Sequence, residues 1–258
     1  NRARGKYQKP GYLYADCPSA SAGHHQINRQ GRGKLTNKAL APRHARKGRR
    51  GGVITLSQSF IVFLACLFVL GLFCGYKALV PPKAVVPEKV GNIPVYTDFL
   101  TEDYAGYSGI ERRIRYIVIH ETDNYSATAT AKAHDSFLHS EKQKNIPLSW
   151  HYTVDEKEIY HHLPDNIAAY HASDGMKAKG GNKSGVGIEL CVNQGSDFAQ
   201  TVDNAARLTA YLLYSYKLDI SDVKQHYDFS GKDCPDRLRE NDNWENFLKL
   251  VKQYLKEY

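Results

Sequence analysis

The chain has 258 residues, which predicts one or two folded domains. Its net charge of +8 is unevenly placed: residues 1–50 hold 13 Lys/Arg and a single acid, Asp16, whereas the remainder holds 22 Lys/Arg against 26 Asp/Glu. The excess describes a basic tail, and it excludes a nucleic-acid-binding surface spread over the whole protein.

Residues 1–52 are rich in Gly, Arg, Lys, Gln, Asn and Ser. Such a segment cannot bury enough apolar surface to offset its ordering entropy, so a disordered tail is expected, suited to anionic lipid headgroups rather than nucleic acid. Residues 51–76 carry no charge, and their centre, 60–75, is almost wholly Phe, Ile, Val, Leu, Ala, Cys and Gly. A run of roughly 20 apolar residues matches the hydrocarbon thickness of a bilayer, so 53–80 is expected to be a transmembrane signal anchor. Arg43, Arg46, Lys47, Arg49 and Arg50 crowd its N-terminal flank, against Lys77 and Lys83 beyond it. Basic flanks stay cytoplasmic, which puts everything after Val80 outside a single-pass cell membrane. A cleaved signal peptide fits less well, because no small-x-small site follows the apolar run. Pro81, Pro82, Pro87 and Pro94 predict a stiff linker over 81–94, and a folded domain over 95–258. Of five cysteines, only Cys191 and Cys234 fall in that domain; they are either free thiols or a disulfide pair.

Within the domain the periodicity alternates. Residues 115–120 are a short apolar run ending in His120, as in a buried strand that reaches a site at its end. A helix is expected over 126–141, and strands 150–154 and 158–162 flank a hairpin turn at Asp155-Glu156-Lys157. A strand follows over 186–192, then helices over 201–217 and 243–258, their apolar residues at helical spacing. Strands and helices in this order predict an α/β domain built on one mixed sheet flanked by helices.

Eight of the 11 histidines lie in the domain. His120 closes a strand, and His226 and Cys234 flank a loop. Two imidazoles and a thiolate leave one tetrahedral position open, as a catalytic zinc requires. Spacing alone does not single out this trio, since a His-rich chain offers several. Glu189 is a carboxylate inside an apolar strand, where a group without function is costly to bury. His134 and His139 read as helix-surface residues, and His161 and His162 receive no firm role.

His120 after its strand, Trp150-His151-Tyr152, Tyr170-His171-Ala172, Gly187-Ile188-Glu189-Leu190, and His226 through Lys232-Asp233-Cys234-Pro235 occur in one order. In this the chain resembles the N-acetylmuramoyl-L-alanine amidases of the type-2 amidase family, which includes phage endolysins and peptidoglycan recognition proteins. The resemblance covers about residues 112–235. It implies one Zn²⁺ held by His120, His226 and Cys234, Glu189 as general base, and Lys232 supporting the oxyanion. It also implies peptidoglycan as substrate, glycan strand and stem peptide together, with Tyr170, His171 and His151 beside it. Tyr170 departs from the family, which has Trp there, and Glu121 adds a second carboxylate next to His120. The rival function is a membrane-anchored module that binds peptidoglycan without cutting it; the presence of Cys234 argues for the enzyme.

Overall fold

The structure, a computed structural model, describes residues 57–79 and 83–258, with side chains of 73–79 excepted. The expected tail and the first residues of the expected anchor lie outside the described residues. Helix α1 (Gln58–Leu79) is 22 residues long, and its described large apolar side chains, among them Phe63, Phe68 and Leu72, are exposed. Counting only residues described with their side chains, no helix is long and apolar enough to cross a membrane; in α1 those residues end at Leu72.

Among the described residues, seven strands form one mixed sheet: β1 (Lys89–Val90), β2 (Ile93–Thr97), β3 (Tyr116–Glu121), β4 (Tyr152–Val154), β5 (Ile159–His161), β6 (Gly185–Leu190) and β7 (Val223–Gln225), in the spatial order β1-β2-β5-β4-β6-β3-β7. The pairs β4–β6, β6–β3 and β3–β7 are parallel; β4–β5 and β1–β2 are antiparallel. This is the mixed sheet expected from the alternating periodicities.

Strand alternation divides the residues between two faces. Ile117 and Ile119 of β3, Tyr152 and Val154 of β4, and Val186, Ile188 and Leu190 of β6 join the main core. Beyond the one-turn helix α3 (Gly181–Ser184), that core is completed by α4 (Phe198–Tyr216) and α7 (Asn243–Tyr254) through Ala205, Leu208, Leu212, Phe247 and Val251. Each such fully buried Leu or Ile contributes about 1.5–3 kcal/mol. The intervening residues, Val118 and His120, Thr153, and Gly187 and Glu189, face the other way, where α2 (Ala131–Leu138) covers β4 and β5. The core therefore holds one face rigid and leaves the opposite face free to carry polar chemistry.

Two boundaries differ from expectation. The folded domain starts before residue 95: Val90 is 1 % exposed, β1 and β2 make a hairpin, and the Val85 N–H donates to the Tyr216 hydroxyl at 2.9 Å. Pro94 lies within β2, opposite Lys89, instead of in a spacer, and Pro81 and Pro82 lie outside the described residues. Helix α2 begins at Ala131, not at 126, because Thr130 is its N-cap and accepts the Ala133 N–H. By contrast α4 starts close to its expected place, capped by Asp197 accepting from Gln200.

Candidate active site

The site is assembled by register. In the parallel β3–β6 pair His120 lies directly opposite Glu189, and in β6–β4 Glu189 lies opposite Thr153. Across β3–β7, Ile119 pairs with Gln225, so the next residue, His226, arrives beside His120, its N–H donating to the Ile119 carbonyl at 3.2 Å. Three of the chemistry-bearing side chains thus meet at the carboxyl ends of adjacent parallel strands, where α/β sheets commonly place their ligands. Cys234 joins from the loop after α5 (Tyr227–Ser230).

The ligand-type atoms of His120, His226 and Cys234 all lie within 4.8 Å of one another, and all three residues are buried. His120 Nδ1 is 3.0 Å from His226 Nδ1 and 3.9 Å from Cys234 Sγ. The tautomer of His120 follows from its other nitrogen. His171 Nε2 is 3.3 Å from the Gly185 carbonyl, to which it donates, so its Nδ1 is an acceptor. His120 Nε2, 2.9 Å away, therefore carries the proton and donates to it. The Nδ1 lone pair of His120 is left turned toward His226 and Cys234. Such an outer hydrogen bond orients and strengthens a metal-ligating imidazole. Two imidazole nitrogens and a thiol gathered in this way are a soft, zinc-type donor set, and the residues fit the ion. Both thiols of the domain are free, so the disulfide alternative does not occur.

Electrostatics reinforce the arrangement. Burial pushes His120 well below the usual histidine range and His226 down to about 4, with Lys232 adding to both, so the rings are neutral, as ligands must be. Burial pushes the Cys234 thiol up to about 12, a cost that a bound cation reverses. Glu189 Oε1 lies 3.8 Å from His120 Nδ1, and Oε2 has no hydrogen-bond partner among the described residues. Its side chain is only 14 % exposed, and burial drives its carboxyl up to about 8 against the pull of Lys232. A carboxyl whose pKa lies near neutrality is able to take and return a proton.

Glu189 and the exposed Lys232 line one cleft of about 330 Å³, together with Glu121, His134, Phe137 and Trp150. Its far wall comes from α2. His134, expected on a helix surface, is 8 % exposed and faces this cleft, because α2 lies over the sheet and turns that side inward.

The other expected substrate neighbours fall elsewhere. His151 is fully enclosed: its Nδ1 accepts the Gly187 N–H at 3.0 Å and its Nε2 donates to the Ile167 carbonyl at 2.9 Å. It holds the backbone of β6 and does not face the cleft. His171 is 7 % exposed and supports His120 from behind. It can do so because residue 187 is glycine; a Cβ there would fall 2.9 Å from the His171 ring. Tyr170 is half-buried, with its backbone tied to Ser149.

Glu121 also departs from expectation. Strand alternation turns its side chain away from His120, and although the residue borders the cleft, its two oxygens accept the Arg237 and Leu238 N–H groups at 3.1 and 3.0 Å, at the start of the short helix α6 (Asp236–Arg239). It is a strut for the segment that follows Cys234. Glu121→Ala is expected to destabilise the fold by about 1–3 kcal/mol, since it leaves two inward N–H groups unpaired; denaturant unfolding measures this.

Comparison with known proteins agrees with the geometry. Residues 110–237 match the family described as N-acetylmuramoyl-L-alanine amidase. The chain is 36 % identical over 155 residues to N-acetylmuramoyl-L-alanine amidase XlyA of Bacillus subtilis (strain 168), covering 60 % of this chain and 50 % of XlyA. It is 36 % identical over 159 residues to the amidase CwlH of the same organism, covering 62 % of this chain and 61 % of CwlH. It thus spans between half and about three-fifths of the length of these relatives. The solved catalytic domain of XlyA superposes with a TM-score of 0.57 at 34 % identity, over 62 % of this chain and 99 % of that domain. A family match across the site, and near-complete overlap with a catalytic domain of the same description, place this chain in the N-acetylmuramoyl-L-alanine amidase family.

Proposed function

We propose that the protein is a zinc-dependent N-acetylmuramoyl-L-alanine amidase, cutting the amide between the muramic acid lactyl group and the L-alanine of the peptidoglycan stem peptide. The observation that carries this reading is the single row His226–His120–Glu189 across three parallel strands, closed by Cys234. His120, His226 and Cys234 would hold Zn²⁺, which when bound polarises the scissile carbonyl and acidifies the attacking water. Glu189, whose Oε2 is otherwise unpartnered among the described residues, receives the proton of that water and passes it to the leaving nitrogen of L-alanine. Lys232, an exposed cation at the cleft edge, supports the negative charge that builds on the carbonyl oxygen. His171 keeps the Nδ1 lone pair of His120 facing inward throughout.

The test is mass analysis of fragments from digested peptidoglycan, with and without a chelator. The expected products are free stem peptides beginning at L-alanine and glycan with intact lactyl groups, both lost on chelation and recovered on adding Zn²⁺. Cleavage within the glycan or between stem amino acids would refute the assignment.

The same reading extends to location. Helix α1, with its large apolar side chains exposed along residues 60–72, together with the apolar sequence through residue 76, supports a membrane anchor over 53–80. The basic residues before it support a cytoplasmic N-terminus, contact with anionic lipid and a catalytic domain outside the membrane. In cell fractionation the full chain is expected in the membrane pellet, and the chain lacking residues 1–80 in the soluble fraction.

A further inference from the structure

Behind the cleft runs a buried chain of hydrogen bonds that the proposed chemistry does not use. Trp150 Nε1–H donates to Thr153 Oγ1 at 2.7 Å. Thr153 Oγ1 lies 2.9 Å from His162 Nε2, and His162 Nδ1 lies 3.2 Å from Asp135 Oδ1. Proton order along the chain is forced. Asp135 is an acceptor, so His162 carries its proton on Nδ1 and accepts at Nε2, and the Thr153 hydroxyl must donate there while accepting from the indole. Burial lowers the pKa of His162 despite its bond to Asp135, which keeps the ring in the neutral form that this order requires. Thr153 and His162 are fully buried.

The placement of this chain is specific. Thr153 is the register partner of Glu189, on the same face of the sheet. Trp150 lines the cleft, its indole edge-on to the rings of His162 and His134. Asp135 belongs to α2, which supplies Ala133, His134 and Phe137 to the opposite wall. The chain therefore spans from the apolar floor, past the strand position next to Glu189, to the far wall.

We propose that Thr153, His162 and Asp135 are positioning residues that set the distance and angle between the Trp150 floor and the α2 wall, and so determine how tightly the cleft grips the aliphatic part of its substrate. The indole plane and Phe137 form an apolar slot beside the polar Glu189–Lys232 end, suited to the methyl groups that flank the scissile amide. The proposal rests on the amidase reading for the identity of that substrate. Losing one such hydrogen bond corresponds to an effect of about tenfold.

The experiment compares Thr153→Val, which keeps shape but removes the hydroxyl, with Thr153→Ser, which keeps the hydroxyl. Both are made in a Trp244→Phe background, so that Trp150 is the one remaining tryptophan. With soluble peptidoglycan fragments, Thr153→Val is expected to raise KM about tenfold with kcat within about twofold. Trp150 emission should shift to longer wavelength, and Thr153→Ser should restore both. Asp135→Ala breaks the chain from the helix side and is expected to raise KM in the same way, which keeps the test decisive if Thr153→Val does not fold. Unchanged KM and emission in the folded variants overturns the proposal, as does a fall in kcat at constant KM, or no rescue by Ser. Failure of the unmodified protein to cut the muramoyl–alanine bond is a separate outcome, and overturns the amidase reading itself.

Discussion

Glu189→Ala is expected to retain one Zn²⁺ per chain yet lower kcat for stem-peptide release by about 10²- to 10⁴-fold, the usual contribution of a positioned general base. The metal is expected to survive because Glu189 does not belong to the converging trio; its Oε1 lies 3.8 Å from His120 Nδ1 and its Oε2 has no hydrogen-bond partner among the described residues. The substitution also removes a carboxyl that burial disfavours in its charged form, so folding should be little harmed. Metal analysis and single-turnover cleavage of the purified variant check both halves. Glu121 borders the same cleft, but its two oxygens are occupied by the Arg237 and Leu238 N–H groups. Full activity in Glu189→Ala would therefore mean that the base is neither carboxylate.

His120→Ala should act differently, by losing the metal. It removes the central member of the trio, the residue within 3.0 Å of His226 Nδ1 and 3.9 Å of Cys234 Sγ, and strands His171 without its partner. Lewis-acid stabilisation of several kcal/mol goes with the ion, which corresponds to a rate loss of at least about 10³-fold. The expected result is zinc content near zero, activity below detection and no recovery in excess Zn²⁺, whereas the chelated parent protein recovers. Free-thiol titration gives an independent reading: Cys234 should react in His120→Ala and be protected in the zinc-loaded parent. Stoichiometric zinc in the variant would remove His120 from the ligand set.

The two variants separate roles that the fold places one strand apart. His120 and Glu189 are register partners at a parallel-strand end, so the proposed ligand and the proposed base are held at fixed spacing by backbone hydrogen bonds and not by a mobile loop. Reactions that depend on placement within a fraction of an ångström gain from such a frame. The same logic explains Gly187, which makes room for the His171 ring, and Glu121, which secures the segment carrying Cys234.

Read alone, the sequence determined the alternation of strands and helices, the strand ending in His120, the apolar strand carrying Glu189, and the motif order that pointed to His226, Lys232 and Cys234. These are local properties: period-2 and period-3.6 patterns, and short strings whose chemistry travels with them. What spacing alone could not decide was which histidines meet. His120 and His226 are 106 residues apart, and only the pairing of β3 with β7 brings them together. His151 and His171 belong to equally suggestive strings, yet burial turns one into a backbone support and the other into a prop for His120. His134 looked like a surface residue because helical spacing says which side chains share a face, not what that face covers. Glu121 read as a second carboxylate beside His120 until strand parity and register put Glu189 beside the trio and tied the Glu121 oxygens to the Arg237 and Leu238 N–H groups. The tertiary structure decided these matters because they depend on which strands lie side by side, and strand order is set by long-range packing that no local pattern encodes.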